Sequence, residues 1–409
     1  MQKQQLNGHH KGLARALLRC SQEQKTSLEH DMKKLTLLIF IDALGWEVLK
    51  TRQFLEAELP YRQKLKSVLG YSSACVPSIL SGKQPKDHGH WSFFFANNDS
   101  SPFKGLSWLR FLPFQSRGRV RNKISKWLKG ILGWTGYFQL YNMPFSHIDR
   151  FDYCEKNDIF ADDGMNKGTQ IFEYCQQQGV SHHVSDWHAS EAENIQSLKD
   201  DMAQKHPSFA FLYLADMDGL LHQVGKASPE VDTKLDWYEQ QLREVIDLAK
   251  QEYDVVDINI CSDHGMATVK KDIDLMARVE ALPLTFGEQY LAAYDSTMAR
   301  FWFYDDSARQ KIETLLKDCT EGQILDDAEL ARLGCDFDNQ QYGELVFLLD
   351  AGNIICPSHM GTKTITGMHG YHPDHADSDA VLLSNIAPPT EPVCITDLYA
   401  LVQHSVASV

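Results

Sequence analysis

Three short apolar runs, each closing on an aspartate, limit the fold of this chain more than any other feature. Leu35–Ile41, Phe209–Leu214 and Val255–Cys261 are dominated by Leu, Ile, Val, Phe and Ala and have strand length. Within a few residues they give way to Asp42, to Asp216 and Asp218, and to Asp263. Such runs predict strands buried on both faces, which is the condition of a parallel sheet. Helical patterns lie between them. In Asp232–Lys250, for example, Leu235, Tyr238, Leu242, Val245 and Leu248 recur at helical spacing. The expected fold class is therefore α/β, with a largely parallel central sheet flanked by helices. In such sheets ligands bind beyond the carboxyl ends of the strands, where these aspartates fall.

The aspartates travel with histidines. Four groups stand out: Phe40-Ile-Asp42-Ala-Leu-Gly45, Asp218-Gly-Leu-Leu-His222, Ser262-Asp263-His264-Gly265 and Gly367-Met-His369-Gly370. One helical turn puts Asp218 and His222 on the same side. Carboxylate and imidazole ligands suit zinc and related divalent ions, and three of each suffice for two sites sharing a centre.

The order of these groups resembles the alkaline-phosphatase superfamily, nearest its type I phosphodiesterase/nucleotide pyrophosphatase branch. The likeness runs from about Leu35 to the C-terminus, with an interruption near residues 95–165. Ile79-Leu-Ser-Gly82-Lys-Gln-Pro85-Lys-Asp-His-Gly89 is similar to the family's L-x-T-G-x-x-P-x-x-H-G. The family's nucleophile lies ten residues before that first glycine, which here is Ser72. The resemblance implies that Asp218, His222 and His369 hold one metal ion. It implies that Asp42, Asp263 and His264 hold a second, with Ser72 Oγ as a further ligand. The cofactors so implied are two divalent ions, Zn2+ foremost and Mn2+ as the alternative. The implied activity is hydrolysis of a phosphodiester or pyrophosphate through a phosphoserine. A phosphomonoesterase, a phosphoryl-group transferase, or a catalytically dead membrane-associated binding protein are the other readings.

The sequence departs from the branch in three places. Its nucleophile turn reads Tyr71-Ser72-Ser73-Ala-Cys75-Val-Pro77-Ser78 instead of T-F-P-N, so a shift of one residue would make Ser73 the nucleophile. Cys75-Val-Pro77-Ser78 is superficially similar to the sulfatase C-x-P-x-R motif, but Ile79 replaces the arginine. The branch's phosphate-binding asparagine has Phe93 at its counted position. Asn97 and Asn98, with Ser73, are the substitute substrate contacts.

Charge supplies the remaining constraint. The 409 residues carry 40 Lys+Arg against 55 Asp+Glu, a net −15, which excludes double-stranded nucleic acid as a partner of the body. Between Ser100 and Ile148, however, stand eight Lys or Arg and no acid. There Val120, Ile124, Trp127, Leu128, Ile131 and Leu132 share one helical face, and Arg119, Arg121, Lys123, Lys126 and Lys129 surround the other. Residues 119–132 therefore read as part of a cap insertion (95–165) whose cations line an anionic substrate's entry. They also read as a peripheral membrane contact, and a lipid-linked phosphoester would use both. The expected organisation is a tail over 1–33 and a single catalytic domain over 34–409. A small α+β accessory lobe is expected over 285–365, with strands near Ala299–Tyr304 and Gly343–Asp350 and no catalytic signal of its own. Nine scattered cysteines and the lack of a secretory-type apolar segment give the expectation of a cytoplasmic protein, peripheral to a membrane if the helix docks. His88 and His90 read as structural supports. His182, His183 and His188 are weaker candidates for reaching substrate, and His372 and His375 fall in a solvated loop.

Overall fold

In the computed structural model, which describes residues 32–97, 100–113 and 117–407, all three apolar runs are strands. Most of the expected tail, residues 1–31, lies outside the described residues, as does Asn98. The chain lays down β1 (Lys34–Ile41), β2 (Tyr61–Leu65), β3 (His182–Val184), β4 (Phe209–Leu214) and β5 (Val255–Cys261). Four strands of a separate sheet follow: β6 (Tyr290–Tyr294), β7 (Met298–Phe303), β8 (Gly322–Leu325) and β9 (Leu345–Leu349). The chain then returns with β10 (Ala380–Ser384).

The central sheet has the order β2-β10-β5-β1-β4-β3. Strands β5, β1, β4 and β3 are parallel, while β10 runs antiparallel to both β5 and β2. The sheet is thus mixed, though largely parallel. Its reversed strand has a simple cause. Ser378 and Asp379 precede β10, and their carbonyls accept from Gly265 N and Trp46 N, beyond the carboxyl ends of β5 and β1. From there β10 can only run back down the sheet.

Among the described residues, the α-helices of seven or more residues are α1 (Ser72–Ser81), α2 (Gly118–Leu132), α3 (Ile171–Gln177), α4 (Glu191–Gln204), α5 (Asp216–Val224), α6 (Pro229–Glu252), α7 (Asp306–Lys317) and α8 (Asp397–Val406). Alternation along β1 sends Leu37, Ile39 and Ile41 against α4, α5 and α6, and Leu38 and Phe40 against α1, α3 and α8. Both faces are therefore covered, as continuous apolar strands require. Helix α6 starts three residues before the predicted Asp232, because Pro229 after Ser228 begins a helix at no hydrogen-bond cost.

The second sheet has the order β6-β7-β9-β8 and is antiparallel throughout. Helix α7 packs on one side of it, where Ile312 meets Phe301 and Phe347. On its other side Met298, Val346 and Leu348 join the cluster around α1. Residues 94–153 build a small aromatic core of their own, with Phe94, Phe103, Phe138, Phe151 and Tyr153 packed against Leu291, Ala293 and Trp302 of the second sheet.

Helix α2 departs from its helical-wheel reading. Leu128 is buried, but Trp127 and Ile131 are 51% and 62% exposed. Arg121, expected among the outward cations, is instead buried, and its guanidinium donates to Tyr141 O at 2.7 Å and Met143 O at 2.8 Å. The backbone of 141–143 needed donors, and an arginine at that register supplied them.

The loop after β1 is fixed by contact between two glycines. A Cβ on Gly45 would overlap the Cα of Gly265, so the loops carrying Asp42 and Asp263 meet backbone to backbone. Gly45→Ala is expected to lower the unfolding free energy by about 1–3 kcal/mol in urea denaturation. Gly130→Ala, in α2 with open space around it, is expected to raise it by no more than about 1 kcal/mol.

Candidate active site

Each chemistry-bearing side chain sits at an element end. Asp42 directly follows β1, Asp218 lies in the first turn of α5 just after β4, and Asp263 and His264 follow β5. His369 arrives from the loop before β10, and Ser72 is the first residue of α1. No side chain caps α1, and Ala74 N and Cys75 N donate to Tyr71 O, so the amides of Ser72 and Ser73 remain available at the helix's positive end.

The groups converge. Ser72 Oγ lies 3.1 Å from His264 Nε2 and 3.5 Å from Asp42 Oδ1. His264 Nε2 is 3.1 Å from Asp263 Oδ2, and His222 Nε2 and His369 Nε2 lie 3.3 and 3.5 Å from Asp218 Oδ1. Donor atoms of Asp42, Asp263 and His264 fall within 4.8 Å of one another, as do those of Asp218, His264 and His369. His264 thus belongs to both triads. The family resemblance groups His222 with Asp218 and His369, and in the structure it flanks the Asp218–His264–His369 triad through Asp218.

Backbone contacts aim the imidazoles. His264 Nδ1 pairs with Gly265 O at 3.0 Å and His222 Nδ1 with Gly367 O at 2.8 Å. Each carbonyl accepts a hydrogen bond from Nδ1–H, which leaves Nε2 facing the carboxylates. Asp263 is held by the amides of Ala43 and His264 through Oδ1, whereas its Oδ2 is buried without a hydrogen-bond partner. Asp218 Oδ1 and His369 Nδ1 are likewise buried and unsatisfied.

Such a donor set fits divalent cations. Burial pushes the Asp42 carboxyl well above the usual range, and the charges of Asp263 and Asp218 push it further. Burial also raises Asp263, against the pull of His264. For Asp218 burial works the same way but is outweighed by His222 and His369, which hold its carboxyl below the ordinary value. His222 is raised in turn, since Asp218 overcomes its desolvation. His369 is lowered by burial and by His264. Without a cation the centre therefore shares protons among groups whose lone pairs point at one another.

Ser73 Oγ donates to Trp91 O at 3.3 Å, so its hydroxyl is turned away from the His264 contact that Ser72 makes. The Asn97 amide donates to Asp152 Oδ2 at 3.1 Å and to Ser100 Oγ at 3.0 Å, and Asn97 does not line the cavity. His88 and His90 are buried beneath α1, where His88 Nε2 meets Ser78 Oγ at 2.9 Å and His90 Nε2 accepts from Asn166 N at 2.9 Å. His183 pairs with Asp201, His188 with Asp186 and His372 with Glu329. None of these histidines, nor His182, lines the cavity.

The cavity over the centre holds about 520 Å³. Its floor is Asp42, Ser72, Asp218 and His369, and its wall includes Phe93, Tyr137, Tyr141, Glu155, Trp187 and Tyr213. Sequence reasoning missed that wall, because single aromatics and one glutamate carry no motif. Asp295 and Ser296, from the turn between β6 and β7, also line it, so the second sheet contributes directly to the site. Asp295 is braced there by the fully buried Arg300, whose Nε donates to it at 3.0 Å. Among the described residues no Lys or Arg lines the cavity, contrary to the expectation that the basic island would.

Fold and centre together define an α/β protein of the alkaline-phosphatase superfamily. Within it the chain belongs to the type I phosphodiesterase/nucleotide pyrophosphatase family, whose model matches residues 36–372. That is a family of metal-dependent phosphodiesterase and pyrophosphatase hydrolases. Human ectonucleotide pyrophosphatase/phosphodiesterase 5 is similar in fold, with a TM-score of 0.64 at 15% identity over 91% of this chain and 95% of that one. The murine protein gives 0.64 at 16% over the same shares, both alone and as an inactive variant in complex with AMP. No curated protein matches the sequence.

A raised Asp42 has a readable sign. Its native form holds a proton that the unfolded chain has released, so metal-free stability falls as pH rises from the ordinary carboxylate range through the raised value. With chelator present at pH 8, Asp42→Asn is expected to melt higher than the parent, and the two to converge near pH 4.

Proposed function

We propose that this protein is a two-metal phosphoryl hydrolase that cleaves a phosphodiester or pyrophosphate through a phosphoserine on Ser72. The observation that carries the reading is the position of Ser72 Oγ. It lies at an uncapped helix N-terminus, within 3.5 Å of both Asp42 and His264, in a centre where Asp263 Oδ2, Asp218 Oδ1 and His369 Nδ1 are buried without a hydrogen-bond partner. In this reading Asp42, Asp263 and His264 hold one ion, and Asp218, His222 and His369 hold the other. The shared position of His264 supports a close pair, and acid with imidazole favours zinc. When bound, such ions supply Lewis-acid charge that favours the serine alkoxide and offsets the charge of the phosphoryl group. Ser72 Oγ then forms the bond to phosphorus while the ester oxygen departs. Amides of the first turn of α1 hold the non-bridging oxygens, and water later cleaves the phosphoserine.

Ser72→Ala is expected to cut turnover of a chromogenic diester by about 10^3-fold or more while metal content, read by elemental analysis, is retained. Unchanged turnover would overturn the role of Ser72. Faster hydrolysis of a matched monoester would replace the diesterase reading, and a protein with neither metal nor turnover would be a binding module.

A peripheral membrane contact by the region around α2 is the second reading. Trp108, Phe111, Trp127 and Ile131 are 49%, 74%, 51% and 62% exposed within the acid-free island, although Arg121 has turned inward. No helix among the described residues is long and apolar enough to cross a membrane. Co-sedimentation with phosphatidylcholine vesicles is expected to appear on adding phosphatidylglycerol, and to be lost in Trp127→Ala/Ile131→Ser. Absence of binding to the anionic vesicles would remove this reading.

A further inference from the structure

Thr297 uses every polar group it has to hold two parts of the centre together. It lies in the turn between β6 and β7 and is fully buried. Its amide donates to the Tyr71 hydroxyl at 3.0 Å, and its Oγ1 lies 2.8 Å from that hydroxyl and 2.8 Å from Gly370 O. A carbonyl can only accept, so the Oγ1 proton goes to Gly370 O and the phenol proton to Thr297 Oγ1. The Thr297 carbonyl accepts from Leu349 N, in β9, at 2.8 Å.

Both ends of this strut adjoin the chemistry. Tyr71 precedes Ser72, and Gly370 follows His369. The Tyr71 ring is T-shaped to the His369 imidazole, 5.6 Å between centroids. Gly370 has φ +84°, and a Cβ there would stand 2.6 Å from Tyr71 Cε1, so only glycine admits the ring. His264 and His222 are each aimed by a carbonyl on Nδ1, whereas His369 Nδ1 is buried with no hydrogen-bond partner among the described residues. Packing therefore orients this third imidazole, against the Tyr71 ring and against the His264 ring stacked on it at 3.7 Å.

The turn that carries Thr297 is itself held from several sides. Asp295 accepts from Arg300 Nε at 3.0 Å and from Ser92 Oγ at 3.2 Å. The same guanidinium, fully buried, donates to Ser92 Oγ at 2.9 Å, Phe94 O at 2.8 Å and Tyr342 O at 3.1 Å. Ser296 O accepts from Ile355 N at 2.8 Å. A fixed point of the second sheet thus grips two segments that lie 226 and 73 positions away in sequence.

We propose that Thr297 and Tyr71 are positioning residues: the strut Tyr71–Thr297–Gly370 orients His369 toward the ion that Asp218, His222 and His369 hold, and sets where Ser72 stands relative to it. The proposal rests on the hydrolase reading above and gives the second sheet a task in it. A misplacement of about 1 Å between a nucleophile and the centre it works with costs about 10^2-fold in rate. Both residues act through their neighbours, so their loss falls on kcat and on one of the two ions rather than on KM.

Three variants of the full chain test it: Thr297→Val, which exchanges the hydroxyl for a methyl, Thr297→Ser, which keeps the hydroxyl, and Tyr71→Phe. Zinc binding is read by chelator competition, and turnover with bis(p-nitrophenyl) phosphate. Thr297→Val and Tyr71→Phe are each expected to weaken one of the two zinc ions at least about tenfold and to leave the other within about threefold. In the zinc-saturated protein they are expected to lower kcat by about 10- to 100-fold with KM within about threefold. Thr297→Ser is expected to restore both. Combined, Thr297→Val and Tyr71→Phe are expected to lose no more than the worse of the two alone, as members of one network do. If Thr297→Val fails to fold, Tyr71→Phe, on a half-buried ring, carries the test. Unchanged zinc binding, losses that multiply in the double variant, or a lower melting temperature with parental kcat would overturn the strut. A parent that binds two zinc ions and hydrolyses no ester would sink the hydrolase reading, while the zinc competition still decides on the strut.

Discussion

Two buried carboxylates, Asp42 and Asp263, and the half-buried Asp218 crowd together, and their repulsion sets the terms for the rest of the molecule. Asp42, Asp218 and Asp263 follow three adjacent parallel strands, so the sheet itself delivers their charge to one place. Left alone, that charge would push the loops apart. They are held together by contacts that do not depend on charge. Gly45 lies backbone to backbone on Gly265, Ser67 Oγ donates to Asp263 O at 2.7 Å, and the carbonyls of Ser378 and Asp379 clasp both loops. Electrostatic cost is thus concentrated where a bound cation can remove it, and offset by packing around it. The reversed strand β10 belongs to the same solution, because its loop must stand at the carboxyl edge to provide those carbonyls and His369.

The centre was legible in the sequence because each part of it is local. A strand that must be buried on both faces announces itself in seven residues, and the aspartate after it is read at once from Leu35–Ile41, Phe209–Leu214 or Val255–Cys261. The order of the groups then carried the family. Distances were not legible. That His264 stands between both triads depends on how β5 and β10 place their loops, and no spacing in the chain encodes it.

Helix α2 and its neighbours show the same limit more sharply. A helical wheel separates apolar from charged residues on α2 but does not say which surface meets protein. Arg121 went inside because the carbonyls of Tyr141 and Met143 lacked donors, while Trp127 and Ile131 stayed out. Asn97, chosen for its amide, spends that amide on Asp152 and Ser100. Glu155 has no neighbour in sequence that marks it as part of the cavity wall. The rings beside it there come from 18 and 14 positions earlier, at Tyr137 and Tyr141, and from Phe93 and Trp187 far to either side.

The aromatic cluster around Phe94, Phe151 and Tyr153 also bears on how the chain is made. Phe94, Phe151 and Tyr153 complete their packing on Leu291, Ala293 and Trp302, which lie well over a hundred residues later. During synthesis from the N-terminus, the earlier half must emerge and wait with its rings uncovered until the second sheet leaves the ribosome. Closure of a loop that long is slow, and apolar surface left open for that interval is a target for chaperones and for aggregation. The wall that shapes the cavity is therefore among the last parts of the protein to be finished.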